Sequence, residues 1–233
     1  MKSYALFGAL AIALAPGLAS ANLVTYEDLT EGFLGSTFTH QGVTYRDVNN
    51  VSGFYADGSP FSAGEPGTNS IIENATLFYN DFPSYGSPIN SMTFGSAFVT
   101  GDNLSIGALA SVFMDFSTQV NSASLDLAYY ENGPWGTIEY RLDALLNGQV
   151  VASDNFFIAD GGGRDNAAIA TMSVNGPAFD SLHLYAIKNG GYTVPRGMID
   201  NLNYAPVPEP ATVVALGLGA AALAARRRRK SAR

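Results

Sequence analysis

Ser122-Ala-Ser-Leu-Asp-Leu-Ala-Tyr129 decides the fold. Its apolar residues fall at every second position, which puts Ala123, Leu125, Leu127 and Tyr129 on one face of an extended chain and Ser124 and Asp126 on the other. The same period recurs in Val43-Thr-Tyr-Arg-Asp-Val48, Thr137-Ile-Glu-Tyr-Arg-Leu142 and Ser181-Leu-His-Leu-Tyr-Ala-Ile187. Further strands are expected at Leu23–Tyr26, Ile71–Tyr79, Asn90–Phe94, Ser111–Phe116, Val150–Phe157, Ala168–Val174 and Met198–Tyr204. Turn residues punctuate them. Asn147-Gly148 between two such runs predicts a type I′ hairpin. Gly161-Gly162-Gly163, Asn175-Gly176-Pro177 and Asn189-Gly190-Gly191 predict loops, and Ser52 to Thr68, rich in Gly, Pro and Ser, predicts a long surface loop. No stretch of the body carries a helical stripe. The expectation is all-β: an antiparallel β-sandwich of the jelly-roll kind, its first and last strands side by side.

The two ends read differently from this body. Lys2, an apolar run from Tyr4 to Leu14, and the small residues Ala19 and Ala21 make a secretory signal peptide over residues 1–21, with the mature chain starting at Asn22. At the other end, Val207-Pro208-Glu209-Pro210 precedes an apolar Ala/Gly/Leu segment, Ala211 to Ala225. Arg226, Arg227, Arg228, Arg229 and Lys230 follow directly. Such a basic cluster stays cytoplasmic, so the body lies across the membrane from it. The apolar segment is shorter than the ~20 residues of an ordinary spanning helix. A short helix with a basic stop suits a temporary tether. Each end is expected to form a helix, the C-terminal one a short transmembrane helix, with the ectodomain over residues 22–205 and the tail over 206–233.

Composition bounds what the ectodomain does. The chain has 20 acidic and 12 basic residues for a net charge of -8, and no cysteine. Within the ectodomain the only basic residues are Arg46, Arg141, Arg164, Lys188 and Arg196. A surface so acidic repels nucleic acid. Without disulfides, stability rests on packing, for which one domain of this size suffices.

The order Pro-Glu-Pro, short apolar helix and arginine cluster resembles the PEP-CTERM sorting signal of Gram-negative bacteria. The resemblance covers Val207 to Arg233. It implies export through the inner membrane, a transient anchor there, and cleavage at the tripeptide by an exosortase. It further implies delivery to the cell surface or extracellular matrix, often beside exopolysaccharide and in biofilm.

A second resemblance lies in the body. Val24-Thr-Tyr-Glu-Asp-Leu29 opens it and Met198-Ile-Asp-Asn-Leu-Asn-Tyr204 closes it. Many PEP-CTERM ectodomains look like this, and in outline they are similar to jelly-roll carbohydrate-binding modules. In some such modules a structural Ca²⁺ bridges carboxylates of the first and last strands. Glu27 or Asp28 beside Asp200 offers the hard oxygen ligands that Ca²⁺ takes. The Asp160-Gly-Gly-Gly-Arg-Asp-Asn166 loop lacks the ligand order of a calcium loop.

Sugars stack their apolar faces on aromatic rings, and two sites offer this. Tyr130-Glu-Asn-Gly-Pro-Trp135 holds the only tryptophan, and Asn189-Gly-Gly-Tyr192 presents a second aromatic near Arg196. Trp135 and Tyr192 are therefore the candidate glycan contacts, with placement in the core as the competing role for such rings. Catalytic motifs are missing: no Gly-x-Ser-x-Gly elbow, no His-Glu-x-x-His, and only His40 and His183 as histidines. His183, between Leu182 and Leu184, is expected on the strand face away from the core. A non-enzymatic surface or matrix component is the expectation, the alternatives being a calcium-stabilised glycan-binding module and a secreted hydrolase.

Overall fold

A computed structural model of the chain describes residues 21–47, 52–55, 58–62, 70–74, 90–98, 105–109, 111–130, 137–158, 167–207 and Gly217. The expected signal peptide, the Pro208–Pro210 tripeptide, the apolar helix, the basic stop at Arg226–Lys230, the acidic glycine loop and Trp135 lie outside the described residues. Residues Ala21–Val207 form one compact unit.

Its regular elements are all strands. They are β1 Asn22–Val24, β2 Gly32–Gly35, β3 Thr37–His40, β4 Val43–Asp47, β5 Gly53–Tyr55, β6 Pro60–Phe61 and β7 Ser70–Asn74. Then come β8 Asn90–Phe98, β9 Ser105–Leu109, β10 Ser111–Tyr130, β11 Ile138–Leu146 and β12 Gln149–Ile158. The chain closes with β13 Ala167–Lys188, β14 Gly191–Val194 and β15 Arg196–Pro206. Every pair is antiparallel except β14 with β5.

The result is an antiparallel β-sandwich whose two layers share the long strands β10 and β13. In one layer the first part of β10 pairs β4, and the last part of β13 pairs β11, which carries β12 at the edge. In the other layer the second part of β10 pairs β15, which is flanked by β8 and β1. Between the layers lie the alternate apolar residues that the periodicity marks: Val112, Met114, Leu125, Leu127, Leu182 and Leu184 show no exposed surface. Each such side chain contributes about 1.5–3 kcal/mol by leaving water.

The turns follow their chemistry. Asn147 and Gly148 both have positive φ, 51 and 77, between the paired residues Leu146 and Gln149. That is the predicted type I′ geometry. Asn189-Gly190 repeats it between Lys188 and Gly191, and Gln41-Gly42 between His40 and Val43.

Three expectations need correction. Ser52 to Thr68 is not loop throughout, since β5 and β6 occupy part of it. Asn175-Gly176-Pro177 is not a loop between strands but an irregularity inside β13, where the register with β10 shifts between Asn175 and Phe179. Proline cannot donate to a ladder and is tolerated at such a bulge. Ser111–Phe116 and Ser122–Tyr129 are accordingly one strand, as are Ala168–Val174 and Ser181–Ile187.

Two residues test this packing. Gly95 has φ 90, and a Cβ there would stand 1.8 Å from the Pro195 carbonyl oxygen. Gly95→Ala is expected to cost ~3 kcal/mol or more in urea unfolding, whereas Gly148→Ala, with open space around it, costs ~1 kcal/mol through its positive φ alone. The Tyr140 ring is fully buried among Phe94, Tyr129 and Phe156, and its hydroxyl has no hydrogen-bond partner among the described residues. An unmet buried hydroxyl is costly, so Tyr140→Phe is expected to raise stability by about 1 kcal/mol in the same assay.

Candidate functional site

Alternation along β10, β11, β12 and β13 sends one side-chain set into the core and the other onto an outer face. Register then lines the outer set into rows. Arg46, Phe113, His183, Asp143 and Ser153 form one row across β4, β10, β13, β11 and β12. Ser111, Tyr185, Arg141 and Asn155 form the next. A third row runs Tyr192, Ile187, Glu139, Phe157 across β14, β13, β11 and β12.

Aromatic rings dominate the middle of this face. Phe113 stacks on His183 with centroids 4.1 Å apart, and His183 stacks on Tyr185 at 4.4 Å. Tyr192 continues the line 5.7 Å from Tyr185. At the rim Phe157 is 62% exposed, a large apolar ring left in water. Isolated exposed apolar residues are ordinary, but one in register with a polar and aromatic platform is a candidate contact.

Charged groups on the face are held in pairs. Arg46 donates to both carboxylate oxygens of Asp115 and lies over the Phe113 ring. Burial pushes the Asp115 carboxyl up, but the hydrogen bonds from Arg46 and Ser181 outweigh it and hold the group below its usual range. Arg141 lies over the Tyr185 ring, its Nε 3.5 Å from Glu139. Asp143 accepts from Tyr185 Oη at 2.8 Å and from Ser153 Oγ at 2.6 Å. Burial, and after it the hydrogen bond to Asp143, raises the Tyr185 phenol well above its ordinary value.

His183 sits at the centre of the face rather than in open solvent. Burial depresses its pKa to about 4, against an opposing pull from Asp143 and with a smaller contribution from Arg46. Ser111 Oγ shares a short hydrogen bond with its Nε2. Ser111 is fully buried beneath the rings, out of reach of a substrate, and the hydrogen bonds drawn to Asp143 come from Ser153 and Tyr185. The serine, histidine and carboxylate are therefore not disposed as an acyl-transfer triad.

The predicted ligands fall elsewhere. The end strands are adjacent, with Val24 opposite Leu202. Glu27 and Asp28 sit in the turn after β1, where Asp28 Oδ1 lies 3.3 Å from His40 Nε2. Asp200 is wholly buried, and its Oδ1 accepts the Asn201 N–H at a bulge where Asn201 takes φ 50. Among the described residues no three His, Asp or Glu side chains gather as metal ligands do. The donor set expected for Ca²⁺ is thus split between an exposed turn and the core, and does not fit the ion in this arrangement. Of the two glycan candidates, Tyr192 belongs to the aromatic face. Phe157, Phe113, His183 and Tyr185 were missed by motif reading. Only the outward phase of their strands marks them in the sequence.

The other layer carries a second, shallow feature, a groove of ≈ 280 Å³ lined by Ser122, Ser124, Ser173, Asn175 and Asn203 among others. Beside it Asp126 accepts from Thr171 Oγ1 and Asn201 Nδ2. It offers hydroxyls and amides, with Tyr204 as the ring among its lining residues.

Residues 206–229 match the family model of the PEP-CTERM protein-sorting motif. The motif indicates export and exosortase-mediated delivery to the surface or exterior of a Gram-negative cell. No curated protein sequence matches the chain. Among solved structures, the K2 cleaved adhesin domain of Lys-gingipain is similar at a TM-score of 0.44 and 13% identity, over 80% of this chain and 98% of that one. An arabinose-bound α-L-arabinofuranosidase is similar at 0.38 and 11%, over 82% of this chain and 27% of that one. The family 11 carbohydrate-binding module of a Clostridium thermocellum cellulase is similar at 0.30 and 10%, over 82% and 97%.

The buried imidazole gives a pH signature. His183 folded has a lower pKa than the 6.5 of the unfolded chain, so unfolding takes up a proton between those values. Stability is full above pH 6.5, falls as pH drops to about 4, and loses on the order of 3 kcal/mol across that window. Urea midpoints measured from pH 7 to pH 4 are expected to show this slope. His183→Gln flattens it, and an unchanged slope in that variant would assign the effect to other groups.

Proposed function

We propose that the chain is exported, held briefly in the inner membrane by its C-terminal apolar segment, and cut at the Pro208–Pro210 tripeptide by an exosortase-type enzyme. The released or surface-attached sandwich then serves as an adhesive, polysaccharide-associated component of the cell surface or matrix, without catalysis. The sorting motif supports the first half of this reading. One observation carries the second: an outer sheet face on which a line of rings, Phe113, His183, Tyr185 and Tyr192, stands among paired hydrogen-bonding groups, with the exposed Phe157 at its rim. Rings of that kind take the C–H faces of sugars, and the surrounding carboxylates, amides and guanidiniums take hydroxyls. Calcium is left out of this reading: among the described residues, no three His, Asp or Glu side chains gather as metal ligands do.

Intact mass of the protein from the native host's surface fraction tests the sorting half. A mass ending near Pro208–Pro210 and lacking the arginine tail is expected; a full-length chain retained in the inner membrane overturns it. Affinity electrophoresis of residues 22–207 through gels containing polysaccharides tests the other half. Saturable retardation by at least one polymer is expected, and free migration through all of them would leave a passive surface protein.

A further inference from the structure

Resting on that glycan-binding reading, the outer face also restricts the class of polymer. We propose that it binds an uncharged polysaccharide chain laid across the strands, in contact with Phe157 at one end and Tyr192 at the other. The two rings lie in one register row, Phe157 opposite Glu139, Glu139 opposite Ile187, and Ile187 opposite Tyr192. Three strand spacings separate them, about 14 Å at ~4.8 Å per spacing. A single sugar ring is too short to reach both, so the contact belongs to several consecutive residues of a chain.

Between the two ends the groups suit hydroxyls and not ionic charges. Glu139 accepts from Asn155 Nδ2 at 3.0 Å and faces Arg141. Arg46 is taken by Asp115, and Lys188, at the end of β13, is 3% exposed. Each described cation of the face already has a carboxylate beside it, in a protein of net charge -8. A polyuronate would bring repulsion without an available counter-charge. A polycation would find Asp115 and Glu139 beside Arg46 and Arg141, and Asp143, bonded by Tyr185 and Ser153, only 5% exposed. An uncharged chain meets neither obstacle. The Tyr192 end is held from the side, because Gly53 lets the neighbouring strand β5 approach so closely that a Cβ would stand 1.9 Å from the Tyr192 carbonyl oxygen.

The experiment is calorimetric titration of residues 22–207 with neutral glucan, mannan and galactan oligosaccharides of increasing length, alongside alginate and chitosan. At least one neutral series is expected to bind, with affinity rising with chain length and then levelling, and little change with added salt. Phe157→Ala, at an exposed position, is expected to leave the melting temperature unchanged and weaken the longest oligosaccharide about tenfold. Tyr192→Ala is expected to weaken it similarly, read at a temperature where far-UV circular dichroism shows the variant folded. Tightest binding to alginate or chitosan, equal affinity for a monosaccharide and a hexamer, or an unaffected Phe157→Ala each overturns the inference while the glycan-binding reading stands. Absence of binding to every polymer removes both.

Discussion

The antiparallel pairing of β10 with β13 is the constraint on which the rest of the sandwich depends. The two strands stay in register from Ser111 opposite Tyr185 to Tyr130 opposite Ala167, interrupted only where bulges offset one another around Val120 and Phe179. A flat ribbon of that length would serve only one layer. The extra residues on each strand, between Asp115 and Val120 on one and between Asn175 and Phe179 on the other, increase the local twist and let the ribbon pass from one layer into the other. Phe116 and Phe179 pack edge to face at this passage, and Tyr204 of β15 adds a third ring. The core closes around the bend, so every outward position on either layer has its phase set there.

That phase explains why the outer face is polar yet rich in rings. Inward positions of β11 and β13 are committed to core packing, aliphatic for the most part with Tyr140 and Phe179 among them. Large residues at outward positions then have only each other to cover them. His183 between Phe113 and Tyr185 is the clearest case, an imidazole stacked on both sides and so poorly solvated that its charged form is disfavoured. The arginines above the same rings gain from the π-faces as well as from their carboxylates. The two arginines of the face stand beside carboxylates and Phe157 is exposed at the rim, which favours recognition by shape and hydrogen bonding.

Much of the fold was legible because it rests on period-two alternation and on Asn-Gly turns, both local properties of the chain. The central strands and the Asn147-Gly148 hairpin follow from them directly. Gly176-Pro177 misled because a turn-prone pair and a bulge have the same local signature. Which one forms depends on whether a partner strand continues past it, and β10 does. The short strands β5 and β6 were hidden for a related reason. β5 is held by β14 through a parallel contact far away in sequence, and β6 pairs with β5 in turn. The site was less legible still. Tyr192 was found as an aromatic beside a turn, but Phe157 gains meaning only from the register that sets it in one row with Glu139 and Tyr192. The carboxylates of Glu27, Asp28 and Asp200 looked like a set because the end strands are neighbours. Adjacency of strands does not fix which way side chains turn, and the bulge at Asn201 goes with a buried Asp200.

The last strand ties the fold to its sorting signal. β15 is an interior strand, with β8 and β10 on its two sides and β1 continuing beyond. Its pairing with β10 runs to Pro206, and the Val207 N–H still donates to the Gln119 carbonyl at 2.8 Å. The sorting motif therefore begins where the sheet ends, at residues 206–229, with no spacer of its own. An interior strand is held by partners on both edges and does not fray as a terminal one does. A cut at the tripeptide falls beyond these bonds and leaves the ladder of β15 whole.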